Sequence, residues 1–140
     1  MDMDNRIKIY ETAKSLLGKN LCGTQHLYGC ALSVTNVLRQ AGIKIDSIAG
    51  TALLYETFQS SGLFSPVSEF QSTFGDIIIS PTGLSYLGPE IHGHVGCLGK
   101  YGIMSNNSWN GLWQENYSLQ TWHQFFGGQR GLPVFFFRAS

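Results

Sequence analysis

The spacing of apolar residues changes near residue 62. Before it they recur every three or four positions, which predicts helices over residues 5–17 and 30–40 and a third helix from Thr51, its N-cap, to Ser60. After it, short apolar runs separated by Gly- and Pro-bearing turns predict strands at 64–67, 76–80, 94–98, 103–107 and 133–138, with one helical turn at 121–126. Helices followed by a mostly antiparallel sheet predict an α+β fold.

Length and charge narrow the classes of function. The chain of 140 residues fits one domain, 1–140, and its nine basic and nine acidic residues balance. No basic stripe is present for nucleic acid, and no polybasic or long apolar stretch for a membrane. The N-terminus begins with acidic residues and lacks the apolar core of a signal peptide, so we expect synthesis in the cytoplasm without one.

The chain has three cysteines, Cys22, Cys30 and Cys97. An odd count leaves at least one free thiol in a monomer and favours a reducing compartment over a disulfide framework. A Cys22–Cys97 disulfide remains an open alternative. The sequence otherwise predicts that both of these cysteines are structural.

Cys30 opens the second helix in the run YGCALSVTNVLRQAG. The free N–H groups and the positive dipole end of a helix stabilise a thiolate, so this position predicts a nucleophile with a lowered pKa. Gly29, directly before it, would let backbone approach a ligand. The alternative is a small buried side chain, since free cysteines are often buried.

His94, in the run HGHVGCLG, is the candidate general base for Cys30. Small residues around it leave room for a substrate. His92 shares its predicted strand face and competes for the role. A metal site at His92 and His94 is a further alternative, but other ligands at recognisable spacing are lacking, so we predict no metal and no organic cofactor.

A cysteine–histidine pair needs two further polar groups, one to orient the histidine and one to help stabilise the oxyanion. An amide from Asn106 would accept Nδ1–H of His94 and leave Nε2 to face the thiol, whereas Asn107 points to the other strand face. Both could instead be ordinary turn residues. The second oxyanion donor, beside the N–H of Cys30, is assigned to Tyr28 or Gln25.

Aromatic residues are frequent in the last third of the chain. Trp109, Trp113, Tyr117 and Trp122 lie in a segment rich in glycine and asparagine. Core packing is expected for at least two of them. An aromatic rim can also bind a saccharide or peptide, and Trp109 is the candidate for that role.

Four runs, in order, resemble the NlpC-type and CHAP group of papain-like cysteine peptidases and amidases. YGCALSVTNVLRQAG is similar to the cysteine-bearing helix, and FGDIIIS to the strand that enters the sheet. HGHVGCLG is similar to the His-Val-Gly strand and YGIMSNNSWNG to the strand that ends in the third polar residue. The chain departs from the common pattern in having Gly29-Cys30-Ala31 instead of Asp-Cys-Ser, and Asn106 where a histidine is frequent.

The resemblance implies a single-domain cysteine hydrolase with Cys30, His94 and Asn106 as its catalytic residues. Its implied substrate is peptidoglycan, cleaved at an amide bond as a stem-peptide endopeptidase or amidase. Without a signal peptide, a phage lysin or a secreted toxin with an immunity partner would fit, acting as a monomer on the wall. The alternatives are a non-wall cysteine peptidase or acyltransferase of the same fold, and a non-catalytic binding or virion protein.

Overall fold

Six strands form one fully antiparallel sheet with helices against both faces. The computed structural model describes residues 4–25 and 28–140. Residues 1–3, part of the segment behind the signal-peptide expectation, lie outside the described residues. The elements are α1 (Asn5–Ser15), α2 (Cys30–Gln40), α3 (Thr51–Ser60), β1 (Phe64–Val67), β2 (Ile77–Ser80), β3 (His94–Leu98), β4 (Ile103–Asn106), β5 (Trp113–Tyr117), α4 (Leu119–Trp122), a π-helical segment (His123–Gln129) and β6 (Phe135–Ala139). The strand order is β1-β6-β2-β3-β4-β5.

The α+β fold predicted from the sequence is confirmed, and most elements lie where the periodicity places them. The bounds of α2, β1 and β3 coincide with the prediction. Helix α1 begins after Asp4, whose side chain accepts from the N–H of Arg6, and it ends at Ser15, two residues before the predicted end. Thr51 is the first helical residue of α3 instead of its N-cap, which is Gly50. The hydroxyl of Thr51 bonds Thr82, so it ties α3 to the loop after β2.

The larger apolar layer lies between the sheet and helices α1, α2 and α3. Helix α2 packs on β3 and β4, while α1 contacts β3 and β6, and α3 contacts β1 and β2. The alternate strand residues that face these helices include Ile77, Ile79, Val95, Cys97 and Met104. Cys97 therefore faces away from His94, as strand alternation predicts.

The opposite face carries a smaller, aromatic layer. Ile78, Leu98 and Ile103 pack there against Trp122 and Phe126, which come from α4 and the π-helical segment. In this part of the chain the predicted single turn at 121–126 extends to Gln129. We call this surface the aromatic face, and the other the helical face.

A buried carboxylate joins the sheet to its last strand. Asp76, fully buried just before β2, accepts from Nε and a terminal nitrogen of Arg138 in β6, at 2.9 and 2.8 Å, and from the N–H of Thr73. The same contact raises the pKa of Arg138. A buried charge is tolerated only when it is paired in this way, so the Gly-Asp run that precedes β2 has a structural role here. Across residues 4–25 and 28–140, no helix has the length and apolar character that crossing a membrane would require.

Candidate active site

A cleft of about 820 Å³ opens where the start of α2 meets the start of β3. Five of the six residues singled out from the sequence line it, namely Tyr28, Cys30, His94, Asn106 and Trp109. Gln25 is not among the lining residues. The other lining residues are Ala49, Gly50, Thr51, Ala52, Thr82, His92, Gly93, Asn107, Ser108, Asn116, Tyr117, Phe125, Phe126 and Arg130.

Two glycines allow the chain to bring the candidate nucleophile and base to this cleft. A Cβ at Gly29 would lie 2.5 Å from Cβ of Cys22 and 2.6 Å from the carbonyl oxygen of Gln25. A Cβ at Gly93 would overlap the carbonyl oxygen of Ser80. Because backbone packs this closely only without a side chain, glycine is required directly before both Cys30 and His94.

Cys30 differs from the sequence-based expectation in its ionisation. Burial raises the pKa of its thiol to about 11, against partial lowering by the backbone N–H groups of Ala31, Val95 and Cys30 itself. The predicted lowered pKa is therefore wrong, because desolvation outweighs the helix N-terminus. The same N–H groups converge on the sulfur and would stabilise a thiolate formed during reaction. All three cysteines are free thiols, so the alternative Cys22–Cys97 disulfide is not formed.

His94 is held neutral in an aromatic environment. Its ring stacks on Phe126, with centroids 5.2 Å apart and planes at 12°, and lies 5.4 Å from the ring of Trp122. Burial, with a smaller contribution from the charge of Arg130, lowers the pKa of His94 to about 3. A neutral imidazole can accept a proton, so burial keeps His94 in the form in which it acts as a base, but a pKa this low also makes it a weak base.

Hydrogen bonding fixes which nitrogen of His94 carries the proton. Nε2 lies 3.0 Å from Oγ of Ser105, and that hydroxyl donates to Oδ1 of Asn116 at 2.6 Å. A serine hydroxyl has one proton, so Oγ must accept from Nε2–H. Nδ1 is then the unprotonated nitrogen. The sequence assigned the two nitrogens the other way round.

Asn106 occupies a different place from the predicted one. Its Oδ1 accepts from the thiol of Cys22 at 3.3 Å, whereas the ring of His94 bonds Ser105. Strand pairing explains the difference. Leu98 in β3 pairs with Ile103 in β4, and both face the aromatic side of the sheet. Side chains alternate along a strand, so His94, four residues before Leu98, and Ser105, two residues after Ile103, share that face. Ser105, and Asn116 through it, are thus the hydrogen-bond partners of the His94 ring in the structure, while the orienting role of Asn106 stays a prediction.

The remaining candidates lie around the rim. Tyr28 is 60% exposed with its ring 4.9 Å from that of His92, and Trp109 is 89% exposed with its backbone N–H donating to Oδ1 of Asn107. His92 precedes β3, and its carbonyl accepts from Arg130. Trp113 and Trp122 are fully buried, which confirms core packing for two of the four aromatic residues.

The site holds no metal-ligand cluster within the described residues, and it includes polar residues that were not predicted from the sequence. Among the described residues no group of three or more His, Cys, Asp or Glu side chains is placed to hold a metal ion. Three residues at the site were not predicted from the sequence: Asn116 and Arg130, which line the cleft, and Ser105, which bonds the His94 ring. Ser105 could have been found from strand alternation, while Asn116 lies in β5, a strand that the sequence did not predict.

The fold is thus the α+β, papain-like arrangement, with a cysteine at a helix start and a histidine at a strand start in one cleft. A solved structure described as "The crystal structure of Ly7917 with the hydrolyzing product of MDP" is similar to this chain, with a TM-score of 0.52 and 14% sequence identity. The similarity covers 96% of this chain and 62% of that one, so this chain spans less than two thirds of its neighbour. No family model and no curated protein matches the chain.

Proposed function

We propose that this protein is a cysteine hydrolase that cleaves amide bonds in bacterial peptidoglycan. The observation that carries the proposal is the set Cys30, His94, Ser105 and Asn116, in which a thiol and a histidine of fixed tautomer line one cleft. The substrate class is supported by the structural neighbour, whose description names the hydrolysis product of MDP, a muramyl dipeptide and hence a peptidoglycan fragment.

The reaction begins from a neutral thiol and a neutral imidazole. As Sγ of Cys30 attacks the scissile carbonyl carbon, Nδ1 of His94 takes the thiol proton. The backbone N–H of Cys30 and the hydroxyl of Tyr28 stabilise the oxyanion. His94 then donates its proton to the leaving amine, which leaves a thioester. Water, deprotonated by His94, attacks the thioester, and the carboxylic acid and the thiol are released.

Ser105 and Asn116 support this cycle through the ring of His94. When His94 is protonated on both nitrogens, the hydroxyl of Ser105 still accepts a hydrogen bond from Nε2–H. Asn116 accepts the proton of that hydroxyl, so the lone pairs of the serine oxygen stay directed at the ring. They are positioning residues, whose contribution is the tautomer and orientation of the base.

The proposal is tested with purified sacculi and mass spectrometry of the released fragments. We expect the wild-type protein to release fragments with new amine and carboxyl termini, which also identifies the bond. Cys30→Ala should release none, whereas Cys97→Ala, which changes a buried thiol on the helical face, should retain release when folded. Equal release by wild-type protein and Cys30→Ala would reject the cysteine mechanism.

The proposed place of action is the cell wall, reached by release or delivery as a phage lysin or a secreted toxin. The protein would act as a monomer, and a toxin would be accompanied by an immunity partner. Expression in a bacterium with and without an added export signal tests this. Lysis only with export supports the proposal, and lysis without export contradicts it.

A second candidate is a non-catalytic protein that binds the same wall fragments. The observation that favours it is the pKa of Cys30, raised to about 11, which leaves little thiolate at neutral pH. The two candidates differ in one measurement. A binding protein would return muropeptides unchanged while retaining them on a column, whereas the hydrolase would convert them.

A further inference from the structure

We propose that Arg130 makes the cleft selective for substrates that carry a carboxylate close to the scissile amide. The inference rests on the proposed function and deepens it by naming the charge of the substrate. Arg130 follows the π-helical segment, lies outside the runs that resemble known peptidases, and lines the cleft together with Cys30 and His94.

The guanidinium of Arg130 is held in place from two sides. Its central carbon lies 4.6 Å from the ring centroid of Phe125 and 5.5 Å from that of Phe126. One terminal nitrogen donates to the carbonyl oxygen of His92 at 2.8 Å, in the loop directly before His94. A side chain fixed by rings and a backbone carbonyl loses little entropy when it binds a ligand.

Arg130 also lies close to the base. The ring of His94 stacks on Phe126, the ring that Arg130 also contacts, and the charge of Arg130 contributes to lowering the pKa of His94. A group bound by Arg130 would therefore sit within a short peptide's reach of the reacting thiol. This position suits a carboxylate on a residue neighbouring the cleaved bond.

No internal partner neutralises this charge within residues 4–25 and 28–140. Of the five N–H donors of the guanidinium, only the one bonded to His92 has a partner there, and the two ion pairs found there use Arg138 and His123. The residues that line the cleft include no aspartate or glutamate, and His94 is neutral. The cleft thus presents one permanent positive charge with donors available for an anion.

Carboxylate is the anion that fits both the geometry and the substrate class. A guanidinium presents paired N–H groups that match the two oxygens of a carboxylate, and peptidoglycan stem peptides carry free carboxylates along a short chain. A charge-assisted contact of this kind in a partly desolvated cleft changes affinity by about ten- to a hundred-fold.

The test compares a synthetic stem tetrapeptide with free carboxylates and the same peptide with every carboxyl converted to carboxamide. Binding is measured by calorimetry on Cys30→Ala, so that it does not depend on turnover, and kcat/KM is measured on the wild-type chain. We expect the free carboxylate form to be preferred about ten- to a hundred-fold in both measurements.

Three variants identify the source of the preference. Arg130→Gln in the Cys30→Ala background should bind the two peptides equally, and Arg130→Lys should recover part of the preference because it keeps the charge without the paired donors. Arg39→Gln removes an equal charge from an exposed position outside the cleft and should keep the full preference. Thermal unfolding confirms that each variant is folded.

The outcomes separate this inference from the proposed function. Carboxylate-selective binding that is lost with Arg130→Gln supports the inference even if the wild-type chain hydrolyses neither peptide, a result that would reject the hydrolase alone. Equal binding of both peptides, no binding of either, or a preference that survives Arg130→Gln overturns the role of Arg130.

Discussion

The two faces of the sheet contribute different halves of the candidate active site. The helical face carries Cys30 on α2, set among aliphatic side chains from three helices. The aromatic face carries His94, enclosed by Phe126, Trp122 and a chain of hydrogen bonds through Ser105. The faces meet at the start of β3, where a backbone N–H of Val95 reaches the sulfur of Cys30.

This division separates two physical tasks. Aliphatic packing fixes the position of the helix start and removes water from the thiol, and this desolvation raises the pKa of Cys30 despite the three backbone N–H groups at the sulfur. The aromatic enclosure excludes water from His94 and lets two polar side chains define its tautomer. We expect substitutions on the aromatic face to alter proton transfer, and substitutions far from the cleft to alter stability alone.

The largest expected effect comes from removing either side of the pair. Cys30→Ala and His94→Ala should each lower turnover by about 10⁴-fold or more, because residues that act as a unit lose nearly all activity singly. Fragment release from sacculi, measured over time, gives the rates. His92→Ala is the control and should cost far less, since His92 lies outside β3. Equal losses for His92→Ala and His94→Ala would contradict the choice of base.

The helical face was predictable from the sequence because each of its elements shows a regular period. Helix α2 buries Val34, Val37 and Leu38 at helical spacing, and its bounds were predicted to the residue. The two glycines at the cleft also lie in recognisable runs, directly before Cys30 and His94. Local patterns therefore identified the fold class and the thiol and histidine that line one cleft.

The aromatic face was less predictable because its elements lack such patterns. Strand β5 buries one residue in five, Trp113, so no alternation marks it as a strand. The π-helical segment contains Gly127 and Gly128, which have low helix propensity. Asn116 belongs to β5, and the register between β4 and β5 that brings Asn116 to Ser105 was not specified by spacing alone.

Loss of the buried ion pair should affect stability and leave the chemistry alone. Asp76 lies before β2, at the end of the sheet opposite His94, which pairs with Ser80 at the other end of that strand. Asp76→Asn removes the buried carboxylate that Arg138 and Thr73 bond, while Arg138 itself is partly exposed, so the free energy of unfolding should fall by about 1.5–3 kcal/mol in urea denaturation. Asp46→Asn, at an exposed position, should change it by less than about 0.5 kcal/mol. A loss of turnover per folded molecule in Asp76→Asn would contradict the separation of tasks.

A smaller effect is expected from the positioning residues. Ser105→Ala removes the acceptor for Nε2–H and should lower kcat by about 10- to 10³-fold, because a wrong tautomer leaves no base facing the thiol. Ser105→Thr keeps the hydroxyl and should recover part of the rate. Asn106→Ala tests the sequence-based alternative and should cost less, and the reverse ranking would return the orienting role to Asn106. The pH profile of kcat should shift with Ser105→Ala, which a purely structural loss would not cause.

The smallest effect expected is a pH dependence of stability that comes from the aromatic face. The folded pKa of His94 is lowered to about 3 from an ordinary value near 6.5. Between these two pKa values His94 is protonated in the unfolded chain and neutral in the folded chain. The free energy of unfolding therefore falls as the pH drops from about 6.5 toward 3. One group contributes a slope of about 1.4 kcal/mol per pH unit within that window and none below it.

This slope can be isolated because carboxylates titrate mostly below pH 5. Urea unfolding between pH 6.5 and 5 should show the wild-type chain losing stability faster than His94→Gln, whose side chain does not titrate. If His94→Gln and the wild-type chain lose stability in parallel, then His94 takes up its proton in the folded state, and the enclosure by Phe126 and Trp122 is looser than the hydrogen-bonded geometry requires.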